Sequence, residues 1–394
     1  MQTPVELIRR GFLLPLEQPA CGDEPAEVPE PETSDHSHGF SPGYAASGKD
    51  LSGYGIRKDP AGMTQSLLEL QAFAIPGLVS IIAGPGDLPL IRLATKACRG
   101  EIFLSGAHVS SWQPQGHAEV LWLSRMSRFA AGQPIRGGIP LCWPWFGGHP
   151  TDKTQAPHGF VRLRQWELRS LSLASDGNLT VLLRDCGSAN PGFPHSWQVD
   201  LKVVFGLSLD VELTTLNTGS KPFAISEAMH TYFSVGDVRQ TRVEGMLGSS
   251  VQDNLTGEQR IQNTDDVVLN RWIQQAHQNH AGPARLIDPV LKRCLTIAKR
   301  GSGATVIWNP NEKKCAEMAK NPGDLGAEEW PNFVCVETSN TPDDHVVVQP
   351  GIPHVLATTI SVDSLNLDAA VEIAKSLHGG SGGPRRIAGE NRFL

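Results

Sequence analysis

Glu337 closes Phe333-Val334-Cys335-Val336, an apolar run of strand length that stops abruptly on a carboxylate. Such a group is either a charge exposed after a buried strand or a carboxylate kept short of water, where its basicity rises. His230 stands between Ala228-Met229 and Thr231-Tyr232-Phe233. An imidazole in so apolar and aromatic a setting is either a satisfied core residue or an acid–base catalyst able to trade its proton near neutral pH. A third stretch, residues 134–162, sets Arg136, Trp143, Trp145, His158 and Arg162 among clustered glycines and prolines. Gly137, Gly138, Gly147 and Gly148 let the backbone approach a ligand closely, and Pro140 and Pro144 keep it from coiling into a helix. It reads either as a rigid loop presenting side chains to a ligand or as a tryptophan-stiffened cap on a β core.

The elements that must hold these residues are short strands. Gly77–Ile82, Pro89–Leu93 and Gly100–Leu104 are apolar runs between Gly and Pro punctuation. Leu179–Leu183, Trp197–Val203 and Leu209–Thr214 alternate apolar and polar with period two, the pattern of strands that bury one face. The strand signal returns at Arg293–Ala298, Ala304–Trp308, Phe333–Glu337 and Val355–Val362. Leu367, Ala370, Val371, Ala374 and Leu377 recur at helical spacing and predict a C-terminal helix on the sheet edge. The fold class is all-β, a large twisted antiparallel β-sandwich with a short C-terminal helix. There is no internal repeat and no βα alternation carrying a phosphate-binding glycine motif.

Composition bounds the rest. In 394 residues, 40 glycines and 29 prolines favour turns over long helices, and 40% hydrophobic content suffices for a sizeable core. A formal net charge of −7 argues against nucleic acid as partner, so an anionic ligand needs a local cationic pocket. Seven scattered cysteines without a CxxC pair predict reduced thiols, a cytoplasmic setting and no zinc motif. No run of 18 apolar residues predicts a membrane span, and the patch Gly11–Leu16 is too short and Pro-broken for a signal segment. Residues 17–35 carry seven acidic side chains and four prolines with no Lys or Arg, which predicts disorder. His36 and His38 lie in a polar tract and read as filler rather than metal ligands. The expected organisation is an extension over residues 1–69, a sandwich domain over 70–378 and a loose tail over 379–394.

Several motifs together resemble the glucose-6-phosphate 1-epimerase (hexose-6-phosphate mutarotase) branch of the aldose 1-epimerase family. They are the 134–162 stretch, Gly106-Ala107-His108 through Ser111-Trp112, Leu121-Trp122-Leu123-Ser124, Met229 through Asp237, Trp308-Asn309-Pro310, and Phe333 through Thr338. The resemblance runs from about residue 75 to about 362 and leaves the N-terminal extension uncovered. It implies a supersandwich like that of galactose mutarotase, and a monomer that interconverts the α and β anomers of a hexose 6-phosphate. Ring opening needs a proton taken from the C1 hydroxyl and one given to the ring oxygen, with no metal or nucleotide cofactor.

Carried over residue by residue, Glu337 is the base and His230 the acid, while His158 and Asp265 hold sugar hydroxyls. Arg136 and Arg162 favour the phosphate, each with an intraprotein salt bridge as its ordinary alternative. Asp265 departs from the family pattern: Asp266 follows it, the aromatic expected shortly after is missing, and a solvated turn competes. Arg125 and Arg128 are further cations in a stretch that varies, and Trp143 and Trp145 either stack on the sugar or wall the site. Two other activities stay open, a free-aldose 1-epimerase and a non-catalytic carbohydrate-binding protein on the same fold.

Overall fold

The computed structural model describes residues 65–320 and 325–365. The helix expected over 367–377, the tail and the extension up to residue 64 lie outside the described residues. Packing is under way at Gln65, whose carboxamide bonds the backbone of Leu168 twice, at 3.1 and 2.8 Å. Ser66 and Glu69 then cap a single helical turn, Leu67–Leu70, reciprocally.

Strands β1 (Val79–Ala83), β2 (Pro89–Ala94), β3 (Cys98–Phe103) and β4 (His108–Pro114) form a four-stranded antiparallel meander. After β5 (Leu141–Cys142) come the long strands β6 (Glu167–Leu173), β7 (Leu179–Asn190), β8 (Phe193–Phe205) and β9 (Leu209–Asn217). A run of shorter strands follows: β10 (Phe223–Ile225), β11 (Glu227–Met229), β12 (Tyr232–Ser234), β13 (Arg242–Glu244), β14 (Ser250–Asp253), β15 (Gln259–Ile261) and β16 (Val267–Val268). The last seven are β17 (Ile273–Gln278), β18 (Ala284–Asp288), β19 (Arg293–Arg300), β20 (Ala304–Asn309), β21 (Phe333–Asn340), β22 (Val346–Val348) and β23 (His354–Ser364). A short helix, Asn311–Met318, interrupts the series where the sequence pattern gave no sign of one.

Two large antiparallel sheets result. One has nine strands in the order β16-β13-β18-β19-β23-β9-β8-β7-β6; the other runs β15-β14-β17-β20-β21-β11-β5, with β12 also paired to β21. The nine-stranded sheet forms where the period-two alternation is cleanest. Leu179, Val181 and Leu183, Val199, Leu201 and Val203, and Leu209, Val211 and Leu213 all point into one core and are buried. Each such side chain contributes roughly 1.5–3 kcal/mol when fully buried.

The second sheet supplies the opposing face. Ile273 of β17, Ile307 of β20, and Val334 and Val336 of β21 join the same core. Because successive side chains alternate, the residues between them must face the other way. β21 is buried on that side too, where Phe333 and Cys335 pack with Trp122, Tyr232 and Trp308. Glu337 therefore belongs to the face of β21 that looks away from the main core.

The glycine-rich loop is threaded between these strands by backbone hydrogen bonds. Gly138 donates to Trp122 O at 2.7 Å and accepts from Tyr232 N at 2.9 Å, and His230 N donates to Pro140 O at 3.0 Å. Gly159 adopts φ +71°, and a Cβ there would stand 1.8 Å from the carbonyl oxygen of Trp143. Backbone cannot yield to such an overlap. Gly159→Ala is expected to cost well over about 2 kcal/mol in urea unfolding, against about 1 kcal/mol for Gly147→Ala, where φ is also positive at +82° but nothing stands within 4 Å of the added Cβ.

Candidate active site

Alternation on adjacent strands builds the floor of a cavity of about 420 Å3. Gln252 of β14 pairs with Ala276 of β17, Ala276 with Val306 of β20, and Val306 with Glu337 of β21. One step along, Gln274 pairs with Trp308, and Trp308 with Cys335. Gln252, Gln274, Ala276, Gln278, Val306, Trp308 and Glu337 all line the cavity, joined by Asn254 just beyond β14. Arg136, Phe146, Gly147, Gly148 and His158 enter from the central loop, His230 from between β11 and β12, and Thr341, Pro342 and Asp343 from the turn after β21. The 134–162 stretch thus presents side chains to a cavity and also braces the core.

Glu337 is 1% exposed, and burial pushes its carboxyl well above the usual carboxylate range. Its Oε1 lies 3.5 Å from Nε2 of His230, while Oε2 is buried with no hydrogen-bond partner among the described residues. Burial first, then the neighbouring His158, Arg136 and Arg162, hold His230 well below the usual imidazole range. The ring of His230 stacks on Tyr232 at 5.0 Å and meets His158 edge-on at 5.7 Å. Burial accordingly favours a protonated carboxyl beside a neutral imidazole. Moving one proton from Glu337 to His230 turns this pair into carboxylate and imidazolium without exchange with solvent.

His158 sits at φ 66°, held by its N–H to Gly147 O at 2.6 Å. Gly147 N donates to its Nδ1 at 3.2 Å, which places the proton of the neutral ring on Nε2. Burial, with help from Arg162 and Arg136, pushes His158 down to about 3. Arg136 lines the cavity and donates from Nη1 to the Tyr232 hydroxyl at 2.9 Å. Arg162 bonds Pro157 O at 2.8 Å from Nη2 and acts on both histidines through its charge, although it is not among the cavity-lining residues.

Two expectations need correction. Asp265 is exposed and accepts from Gly245 N at 3.2 Å, and neither it nor Asp266 lines the cavity. It is the solvated turn of its alternative reading; the polar wall is made instead by Gln252, Asn254, Gln274 and Gln278. Trp143 and Trp145 are buried, their indole N–H groups bonded to Thr215 Oγ1 and Ala156 O, each at 3.0 Å, and the aromatic rings that reach the cavity are Trp308 and Phe146. Arg125 pairs with Glu329 at 3.3 Å and is largely exposed, and neither it nor Arg128 lines the cavity. The carboxamides went unnoticed because Ile273-Gln-Gln-Ala-His-Gln has polar residues on both faces and so shows no alternation. The only signal was a cluster of Gln and Asn at even spacing.

A buried carboxyl in contact with an imidazole, on the floor of a polar, partly aromatic cavity, is an arrangement able to pass protons to and from a hydroxyl-bearing ligand. A sequence model of the aldose 1-epimerase family matches residues 89–361, and the chain belongs to that family. A protein of Cenchrus ciliaris provisionally named a glucose-6-phosphate 1-epimerase is 31% identical over 283 residues, which cover 69% of this chain and 84% of the relative. The crystal structure of a provisionally named mutarotase from Salmonella typhimurium superposes with a TM-score of 0.68 at 27% identity, over 74% of this chain and 95% of that one. A galactose mutarotase-like protein from Clostridium acetobutylicum shares the fold alone, with a TM-score of 0.58 at 14% identity over 73% of this chain and 98% of that one. None of the six cysteines among the described residues is in a disulfide. Among those residues no helix is long and apolar enough to cross a membrane.

Buried histidines are expected to set the response of stability to acid. Burial pushes His108, His158 and His277 down to about 3 and His280 to about 4, and lowers His230 as well. Below the unfolded value near 6.5 the unfolded chain binds protons that the fold refuses, so stability is lost as pH falls through that value. Glu337 and Asp185, the latter raised to about 6 by burial, oppose this with the reverse sign but are outnumbered. Unfolding free energies measured in urea between pH 7 and 5 should fall, and His277→Asn should flatten the slope by about 1 kcal/mol per pH unit. A flat profile would mean these rings are not held neutral.

Proposed function

We propose that this protein interconverts the α and β anomers of a hexose 6-phosphate, glucose 6-phosphate being the first candidate, by acid–base ring opening and reclosure. The observation that carries the reading is the contact of His230 with Glu337 on the floor of a cavity whose wall also holds Arg136 and His158. The names of the relatives described above point to the same reaction. Glu337 takes the proton of the C1 hydroxyl as His230 gives one to the ring oxygen, and the C1–O5 bond opens to the aldehyde. Rotation about C1–C2 presents the other carbonyl face, and the ring closes as both protons return. The pair needs to be in its carboxylate–imidazolium form for the first step, and the single internal proton shift described above produces that form.

The other residues bind and orient. His158 offers Nε2–H to an oxygen near the anomeric centre. Trp308 gives the sugar an apolar wall, and the carboxamides of Asn254 and Gln274, which have no hydrogen-bond partner among the described residues, suit hydroxyls. Arg136 supplies positive charge at the cavity wall and Arg162 adds to the local potential behind it, as a dianionic phosphate requires. The position of Arg162 outside the cavity lining favours a second reading, the same chemistry on a free aldose.

Exchange NMR on equilibrated glucose 6-phosphate and on glucose separates these readings. Acceleration confined to the phosphate supports the first, equal acceleration of both supports the second, and none on either leaves a carbohydrate-binding protein. Glu337→Gln should lower the exchange rate by about 10²–10⁴-fold with little change in sugar affinity. Asp265→Asn, at an exposed turn, should leave the rate within about twofold. A large loss there would restore Asp265 to the site.

A further inference from the structure

Cys335 is wholly buried one pleat from Glu337 on the same face of β21, and the proton-transfer scheme gives it no task. Its sulfur, a ring nitrogen of His230 and a carboxylate oxygen of Glu337 all lie within 4.8 Å of one another. We propose that His230, Cys335 and Glu337 bind a thiophilic divalent metal ion, zinc or cobalt, in a reversible site that blocks the enzyme.

The His230–Glu337 spacing and the donor chemistry agree, with the Cys335 sulfur within 4.8 Å of both other ligand atoms. Two ligands about 2.0–2.1 Å from a tetrahedral zinc ion stand roughly 3.4 Å apart, and Nε2 of His230 is 3.5 Å from Oε1 of Glu337. Cys335 closes the side packed by Trp308, Tyr232 and Phe333, while the cavity leaves the fourth position to water. Oε2 of Glu337 is buried without a hydrogen-bond partner among the described residues, so that oxygen is uncommitted, while Oε1 faces His230. Binding M2+ displaces the thiol proton and the carboxyl proton, so thiolate and carboxylate offset the ion's charge and two protons leave to solvent. Affinity should accordingly rise with pH.

The site differs from one built for a resident metal. Nδ1 of His230 has no hydrogen-bond partner among the described residues, whereas a long-held zinc ligand has its second nitrogen anchored. Occupancy is therefore expected to be reversible. The block on catalysis rests on the proposed roles of His230 and Glu337; the binding itself does not.

Cobalt reports both. The full-length protein titrated with Co2+ should develop a thiolate-to-cobalt charge-transfer band in the near ultraviolet with intense tetrahedral bands in the visible. Zinc should displace them. Cys335→Ala should abolish the charge-transfer band, and Glu337→Gln, close to isosteric, should weaken cobalt binding by more than about tenfold. Anomer exchange by the wild type should fall in step with the cobalt bands and recover when EDTA removes the ion. No thiolate band in the wild type, or a band that persists in a folded Cys335→Ala protein, overturns the site. Cobalt bound through Cys335 with exchange undiminished overturns the block. A metal-free protein that exchanges no sugar refutes the epimerase reading while the spectra still judge the metal site.

Discussion

Keeping the Glu337 carboxyl almost out of water is the constraint around which this fold is arranged. A carboxyl so buried resists ionisation, and its neighbour His230 is buried enough to resist protonation. Each resistance alone would disable an acid–base group. Set 3.5 Å apart, the two share one proton in a pair that is neutral overall in either arrangement. Neutrality is what lets such a pair persist in the interior, since an isolated buried charge would cost several kcal/mol. The stacked Tyr232 ring and the edge-on His158 ring shield the pair on two sides and leave it facing the cavity.

That arrangement needs a strand buried on both faces, and a single sheet cannot supply one. Val334 and Val336 give β21 its hold on the main core, while Phe333 and Cys335 pack with Trp122 and Tyr232 and Glu337 faces the cavity beside His230. The nine-stranded sheet is the foundation: it fixes β21 through one set of alternate residues so that the other set can be spent on chemistry. β17 and β20 repeat the division, Ile273 and Ile307 facing the core while Gln274 and Trp308 face the cavity. The same alternation thus separates stability from function within each strand.

This division also explains what the sequence disclosed. β7, β8 and β9 stand out because one face is apolar and the other wet, and Glu337 stands out because it breaks an apolar run. His230 and His158 were legible through their unusual neighbours. β14 and β17 were not, since carboxamides on the cavity side and Gln275 and His277 on the other erase the alternation on which strand recognition depends. Asp265 misled because local pattern cannot tell a carboxylate that caps a turn from one that meets a ligand. Trp143 and Trp145 misled for a related reason: the area of an indole serves a core as well as a binding wall, and only the Thr215 and Ala156 contacts decide between them.

The polar wall without Asp265 suits an anionic ligand better than the wall expected with it. A second carboxylate beside the sugar would repel a dianionic phosphate across a cavity of low dielectric, where such repulsion is poorly screened. Carboxamides offer both donors and acceptors to hydroxyls and carry no net charge. The cavity's charged groups are then confined to Arg136 and the acid–base pair, with Asp343 on the exposed turn after β21. A molecule with a phosphate at one end and hydroxyls along its length has one favourable orientation in such a field. Orientation by charge at one end and neutral hydrogen bonds along the rest lets the anomeric carbon pass through the open aldehyde while the remainder of the sugar stays in place. Such anchoring suits the proposed reaction, because rotation about C1–C2 must be free while everything beyond C2 is held.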